Sequence, residues 1–204
     1  MAAWAVDPLL VAIAYAAGAL PWGYLLGRWF GNVDLREHGS GGTGATNALR
    51  TLGWRVSLAV FALDVLKGFL PVVAARLVGL SDWWIAAIAV AAVVGHCWSP
   101  LIGFRGGKGV ATGTGAAAAM YPPVLLAVPI IVAIIWLTRY VSLGSLLGSL
   151  LVSLALVGLG VAGLVQWGVP LGVLAMTGII VYQHQGNIRR LLSGTERRIG
   201  EPAA

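Results

Sequence analysis

Apolar residues run along this chain in long blocks, and the polar residues collect in the gaps between them. Five blocks approach the roughly 20 residues a helix needs to cross a bilayer. They are Leu9 to Phe30, Trp54 to Leu80, Trp83 to Trp98, Val141 to Val165 and Val169 to Tyr182. A further block, Val110 to Leu137, is broken by Pro122-Pro123. A proline pushes the residue before it out of the helical region and removes a backbone donor. This block is therefore either one kinked span or a hairpin of two short helices.

Charge placement separates the two, because basic residues accumulate in cytoplasmic loops. With the hairpin there are seven spans, one of them short, and the N-terminus is outside. The inner side then holds Arg28, Arg36, Arg50, Arg55, Arg105, Lys108, Arg139, Arg189, Arg190, Arg197 and Arg198, against Arg76 alone outside. With a single kinked span, Arg139 and the four C-terminal arginines move outside, giving six on each side. The pattern thus predicts an all-α integral membrane protein with seven transmembrane helices and a cytoplasmic C-terminus. Val110 to Tyr121 is too short for a full crossing and is expected to dip part-way, shielded by its neighbours.

Composition supports that class: 59% of the 204 residues are hydrophobic and 10% charged, where soluble domains run near 45–50% and about 25%. Mean hydropathy is +0.89. A soluble two-domain enzyme, a disordered chain and a disulfide-built module are excluded, and residues 1–204 read as a single transmembrane domain. Met1 to Pro8 carries no Lys or Arg, so it lacks a signal peptide's basic start and the first span is expected to be retained. The net charge of +6 fits arginine-rich inner loops or an anionic substrate, not a nucleic-acid partner. The lone Cys97 reads as a small buried hydrophobe. Gly23, Gly27 and Gly31, like Gly144 and Gly148, recur every four residues, a spacing that lets membrane helices approach closely.

Every polar-rich segment falls on the inner side. In 34–53, DLREHGSGGTGATNALRTLG, Gly39, Gly41, Gly42 and Gly44 allow a backbone that turns successive N–H groups toward an anion. Ser40, Thr43 and Thr46 add hydroxyls, and Arg50 a guanidinium fork suited to phosphate. The segment matches G-x-G-x-x-G in letters only, since no strand or βαβ unit surrounds it. It reads as a phosphate cradle in preference to a plain flexible loop.

In 95–115, GHCWSPLIGFRGGKGVATGTG, Gly106, Gly107 and Gly109 flank Lys108 beside Arg105. That is again an anion-binding composition, though not a Walker A loop. His96, at a helix end, is as readily structural as functional. In 183–200, QHQGNIRRLLSGTERRIG, His184 and Asn187 share a helix face. The histidine suits proton transfer and the amide suits donation to a carbonyl oxygen. The four arginines of this segment read as a basic tail on anionic lipid. Ser142 and Ser145, three apart at the inner end of a span, are candidates too, although membrane serines commonly bond to helix backbone. Asp64 and Lys67 lie inside the second span at i,i+3. A buried structural pair is the preferred reading over substrate contact.

Several chemistries are missing from this inventory. Three His and one Cys form no zinc-type cluster, no histidine is followed at the fifth position by Asp, and there is no G-x-S-x-G elbow. Phosphate-suited loops at one membrane face, with His and Asn but no evident covalent nucleophile, fit transfer of an acyl group from an already activated acyl-phosphate. A transporter for a small phosphorylated anion is the rival from another class. Against it, the motifs cluster at one face and no inverted repeat is visible.

The three segments resemble those of the bacterial PlsY-type acyl-phosphate:glycerol-3-phosphate acyltransferases. That family reads roughly G-S-G-N-x-G-A-T-N-x-x-R, then G-H…F-[KR]-G-G-K-G-V-A-T, then H-x-x-N-I-x-R-L-L-x-G-x-E. Here these are Gly39 to Arg50, Gly95 to Thr112 and His184 to Glu196, and Asp64, Lys67 and Gly68 match the family's Asp-x-x-Lys-Gly. Gly42 departs from the family's Asn, and Gln185 from a basic residue. The resemblance implies acyl transfer to the 1-hydroxyl of glycerol-3-phosphate, giving lysophosphatidic acid and phosphate. It implies no cofactor, no metal and no acyl-enzyme, in the bacterial cytoplasmic (inner) membrane with the site facing the cytoplasm. It places His184, Asn187 and Ser40 at the chemistry. Gly41, Gly42, Thr46, Asn47, Arg50, His96, Arg105, Gly106, Gly107, Lys108, Ser142 and Ser145 would bind substrate. Membrane lipid is the other expected partner, and the oligomeric state stays open, a monomer included.

Overall fold

The computed structural model describes residues 3–201; residues 1–2 and 202–204 of the expected 1–204 unit lie outside them. The described residues are helical and contain no strand. In chain order the helices are α1 (Ala3–Gly18), α2 (Trp22–Gly31), α3 (Ala45–Leu52), α4 (Trp54–Leu77), α5 (Asp82–Cys97), α6 (Val110–Met120), α7 (Val128–Thr138), α8 (Val141–Val161), α9 (Gly168–Gln183) and α10 (Gln185–Leu192). Among the described residues, four segments are long and apolar enough to cross a membrane: Asp7–Gly31, Trp54–Leu77, Asp82–Ile102 and Val141–Val161. Pro122–Thr138 and Gly168–Gln183 are shorter apolar helices.

The first expected span is not one helix. Pro21 interrupts it, and α1 and α2 are separate elements. Carbonyls released at such a break need partners in an apolar surrounding. The Ser99 hydroxyl donates to Ala19 O at 2.6 Å and the Lys67 ammonium to Leu20 O at 2.8 Å. Both side chains arrive from elsewhere in the chain, so the break is stitched into the bundle.

The Pro122-Pro123 break resolves as a hairpin. The start of α6 lies beside Lys108, which bonds to Asn187, and Ser142 after α7 reaches the same cluster through Glu196. The far end of α6 lies against Arg76, whose Nη1 donates to the carbonyls of Ala119 and Met120 at 2.7 and 2.9 Å. The chain therefore runs out along α6, reverses through Tyr121–Ala127 and returns along α7.

Glycines set the closest helix crossings, more of them than the four-residue spacing revealed. A Cβ at Gly68 would strike the Thr112 carbonyl, and one at Gly115 the Val65 carbonyl, so α4 and α6 touch backbone to backbone. Gly18 and Gly95 do the same for α1 and α5. Gly144 and Gly148 receive the Ile135 and Ile131 side chains of α7. No residue of α7 is buried: this helix is anchored through α8 and otherwise presents its apolar surface outward.

Candidate active site

The segment before α3 is built around one amide. Asn47, 2% exposed, directs its Nδ2 at the carbonyls of Leu35 (2.8 Å), Gly42 (2.9 Å) and His38 (3.0 Å), and its Oδ1 accepts the Ser40 N–H at 3.0 Å. Gly39 has φ +59°, and a Cβ there would strike Asn47 Oδ1, so both the turn and the close approach require glycine. Asp34 caps the 3₁₀ turn Leu35–Glu37 and is held by Arg36 at 2.6 Å, while Arg36 Nη1 donates to Ile102 O at 3.0 Å. The hydrogen bond from Arg36 keeps the Asp34 carboxyl below its ordinary range.

The segment before α6 is fixed through its backbone instead. The Gly106 and Gly107 N–H groups donate to Cys97 O (3.1 Å) and His96 O (3.2 Å), and Phe104 N–H donates to Ser99 O at 2.8 Å. Lys108 projects from this frame and donates to Asn187 Oδ1 at 2.6 Å. Asn187 Nδ2 in turn donates to Glu196 Oε1 at 2.5 Å. Ser142 Oγ reaches the same oxygen at 2.8 Å, and Arg190 Nε reaches Oε2 at 2.7 Å. Burial pushes the Glu196 carboxyl upward, but these three donors outweigh it and hold the group below its usual range. Burial lowers Lys108 to about 8.

His184 ends α9. Its Nδ1 lies 2.7 Å from Ile180 O; a carbonyl only accepts, so Nδ1 carries the proton and Nε2 keeps a lone pair. Burial first, and the Lys108 charge second, bring its pKa to about 4, and the ring is neutral at pH 7. Arg50 leans on the C-terminal segment through Arg197 O at 3.4 Å, and its buried Nε has no protein partner.

These groups meet at one end of a cavity of 370 Å³. Ser40, Thr46, Arg50, Lys108, His184 and Asn187 line its polar part, and the first residues of α3 and α6 add N–H groups that helix geometry leaves without internal acceptors. Beyond them the walls turn apolar, with Ile131 and Ile135 of α7, Val152 of α8 and Met176 of α9. The rims of this apolar part are Phe61 on α4 and Val128 and Val132 on α7, which are 46%, 40% and 57% exposed. The cavity thus opens sideways, between α4 and α7.

Of the residues expected in the site, Gly42, His96, Gly107, Ser142 and Ser145 also line this cavity. Arg105 does not: it is exposed, outside the lining. Gly41 and Gly106 are outside it as well. The Gly41, Gly106 and Gly107 amides already serve His38 O, Cys97 O and His96 O, so they hold the loops in shape and are not free for phosphate. Asn47 lines the cavity, but its amide is committed to the loop backbone. Ser145 Oγ returns to Val141 O at 2.9 Å, the helix-backbone alternative for that serine. Glu196 joins the site although its sequence context as part of an arginine-rich tail assigns it no role; the signal is its position nine residues after Asn187 in the third motif. Asp64 lines the cavity too, paired with Lys67 at 2.7 Å.

Comparison with known proteins shows the family and the fold. A family model described as glycerol-3-phosphate acyltransferase matches residues 8–194. A glycerol-3-phosphate acyltransferase of Synechococcus sp. (strain CC9902) is 45% identical over 198 residues, 95% of each chain. One of Thermus thermophilus is 46% identical over 195 residues, 94% of each. Among solved structures, PlsY (YgiH), an integral membrane glycerol 3-phosphate acyltransferase, superposes in its glycerol 3-phosphate form with a TM-score of 0.88, 38% identity and 96% of both chains covered. Its lysophosphatidic acid form gives 0.85 at 37% identity, again over 96% of both.

Fold and relatives together are those of an integral membrane acyltransferase. The chain belongs to the glycerol-3-phosphate acyltransferase family.

Proposed function

We propose that this enzyme moves a fatty acyl group from acyl-phosphate to the 1-hydroxyl of glycerol-3-phosphate, releasing phosphate and lysophosphatidic acid. The reading is supported above all by one observation: Arg50 and Lys108 share a cavity with His184, and that cavity continues into an apolar side opening. The chain crosses the bacterial inner membrane seven times as one domain, with its N-terminus outside and the polar end facing the cytoplasm. The acyl chain lies in the apolar part, while glycerol-3-phosphate arrives from the aqueous side.

Ser40, Thr46, Arg50 and Lys108, with the first N–H groups of α3 and α6, hold the two phosphates. Gly42 and Ser142 complete the wall. The glycerol oxygen attacks the acyl carbonyl, a C–O ester bond forms, and the carbonyl–phosphate C–O bond breaks. The hydroxyl proton, first shared with His184 Nε2, is passed on to and carried away by the departing phosphate. Neutral His184 accepts a hydrogen bond from the attacking hydroxyl through Nε2, and Asn187, anchored by Glu196, orders the groups at the carbonyl. Transfer of this kind uses a donor that is already activated, which suits a site whose histidine is paired to a backbone carbonyl.

The direct test is phosphate release by the purified protein in lipid, given palmitoyl-phosphate with and without glycerol-3-phosphate. Release that requires both substrates and yields lysophosphatidic acid is expected; release from acyl-phosphate alone would mean hydrolysis. His184→Ala is expected to lower kcat on the order of 10²-fold or more, and an unchanged rate would return His184 to a structural role.

A further inference from the structure

We infer that a buried row of ionisable side chains, Lys67–Asp64–His96, positions Lys108 for its phosphate substrate by seating Gly107. The inference rests on the proposed role of Lys108 in holding a substrate phosphate, which it assigns to glycerol-3-phosphate.

Within the described bundle, three ionisable groups meet where apolar packing would be cheaper. Lys67 Nζ lies 2.7 Å from Asp64 Oδ1 and donates to Leu20 O at 2.8 Å, and His96 Nδ1 faces the same Asp64 oxygen at 3.6 Å. All three side chains are 5% exposed or less. Burying charge is costly unless the groups compensate one another. Lys67 is explained by the α1–α2 break it caps, and Asp64 by Lys67. His96 is explained by neither, since its Nδ1 has no hydrogen-bond partner.

The other edge of the ring shows what it does. His96 Nε2 and Cε1 fill the place where a Cβ on Gly107 would stand, and His96 O accepts the Gly107 N–H at 3.2 Å. One residue therefore clamps Gly107 twice, by its carbonyl and by its ring. Gly107 has no left-handed φ; its backbone admits alanine, and the ring alone demands glycine. Lys108 is the next residue. A shift at Gly107 passes straight to the ammonium that reaches Asn187 at 2.6 Å. His96 is thus a positioning residue, Asp64 sets a carboxylate 3.6 Å from the far edge of its ring, and Lys67 anchors Asp64 to the break in the first helix pair.

A double-mutant cycle tests this. In lipid-reconstituted enzyme, His96→Ala and Gly107→Ala are each expected to raise KM for glycerol-3-phosphate about tenfold, the lower range for residues that orient a ligand group. In both, kcat stays within about threefold, because a binding group is displaced and the reacting groups are not. The double variant is expected to be no worse than His96→Ala, since the new methyl occupies the space the ring vacates. Should His96→Ala fail to accumulate, His96→Asn also withdraws the ring and completes the cycle.

Independent, multiplying effects of the two substitutions would overturn the inference. So would loss of kcat and thermal stability at unchanged KM, the mark of a packing role alone. Calorimetric titration of glycerol-3-phosphate gives the same cycle in Kd without any donor. A failure of the acyl-phosphate reading is therefore distinguishable from a failure of this one.

Discussion

The two glycine-rich segments have similar compositions and opposite constructions. The one before α3 is shaped by a single side chain, Asn47, whose amide gathers three carbonyls and one N–H. The one before α6 is shaped by backbone bonds to the end of α5. The first leaves hydroxyls, open space and the start of α3 facing the cavity. The second offers one ammonium, held from behind, and the start of α6. Glycine therefore means different things in the two: a Cβ on Gly42 would meet only Ser40 Oγ at 3.9 Å, whereas one on Gly107 would collide with a histidine. An anion-binding composition does not say which of its atoms are free.

Asn47→Ala should separate the two constructions most sharply. It removes a hydrogen bond from four backbone groups at once; the Leu35 and His38 carbonyls keep backbone partners, while the Gly42 carbonyl and Ser40 N–H lose theirs, at about 1–3 kcal/mol each if left buried and unpaired. Activity is expected to fall on the order of 10²-fold through misplacement of Ser40 and Thr46, with a lowered thermal midpoint. A variant that keeps near-normal KM and stability would show that the first segment does not depend on this amide.

The second segment depends on Lys108. Its ammonium is carried below a pKa of about 8 and lost above it, so binding of an anionic substrate weakens as pH rises through that value. kcat/KM is expected to show an alkaline limb near 8, and Lys108→Arg should move that limb upward because a guanidinium does not titrate there. An alkaline limb that stays in place would assign it to another group.

The smallest effect is expected at Gly42. Gly42→Asn places an amide in free space beside Ser40 and should lower KM for a phosphate substrate by about two- to threefold, one modest hydrogen bond. A raised KM would mean that the space is needed by substrate.

Much of this was legible in the residues. Pro122-Pro123 and the placement of arginines anticipated the hairpin, and the three polar segments do converge on one end. What periodicity did not reveal depends on the direction of individual polar atoms. Pro21 reads as a tolerable proline within a long apolar run until the ammonium and hydroxyl that cap its free carbonyls are seen to arrive from distant parts of the chain. Asn47, Gly106 and Gly107 look like ligand groups because they are polar or small, and only tertiary contacts show their donors already engaged. Glu196 looks like tail charge, yet three donors from two helices, α8 and α10, converge on it.

The sideways opening between Phe61 and the rim of α7 also bears on how the reaction is counted. A fatty substrate taken through that side never leaves the oil phase, so it meets the enzyme by diffusion in two dimensions, and its product departs the same way. What the protein senses is then mole fraction within the bilayer, not molarity in the surrounding solution. Diluting the membrane with inert lipid slows such an enzyme even when every concentration in the tube is unchanged, while the glycerol-3-phosphate side still obeys ordinary volume kinetics. One cavity thus works in two different units of concentration.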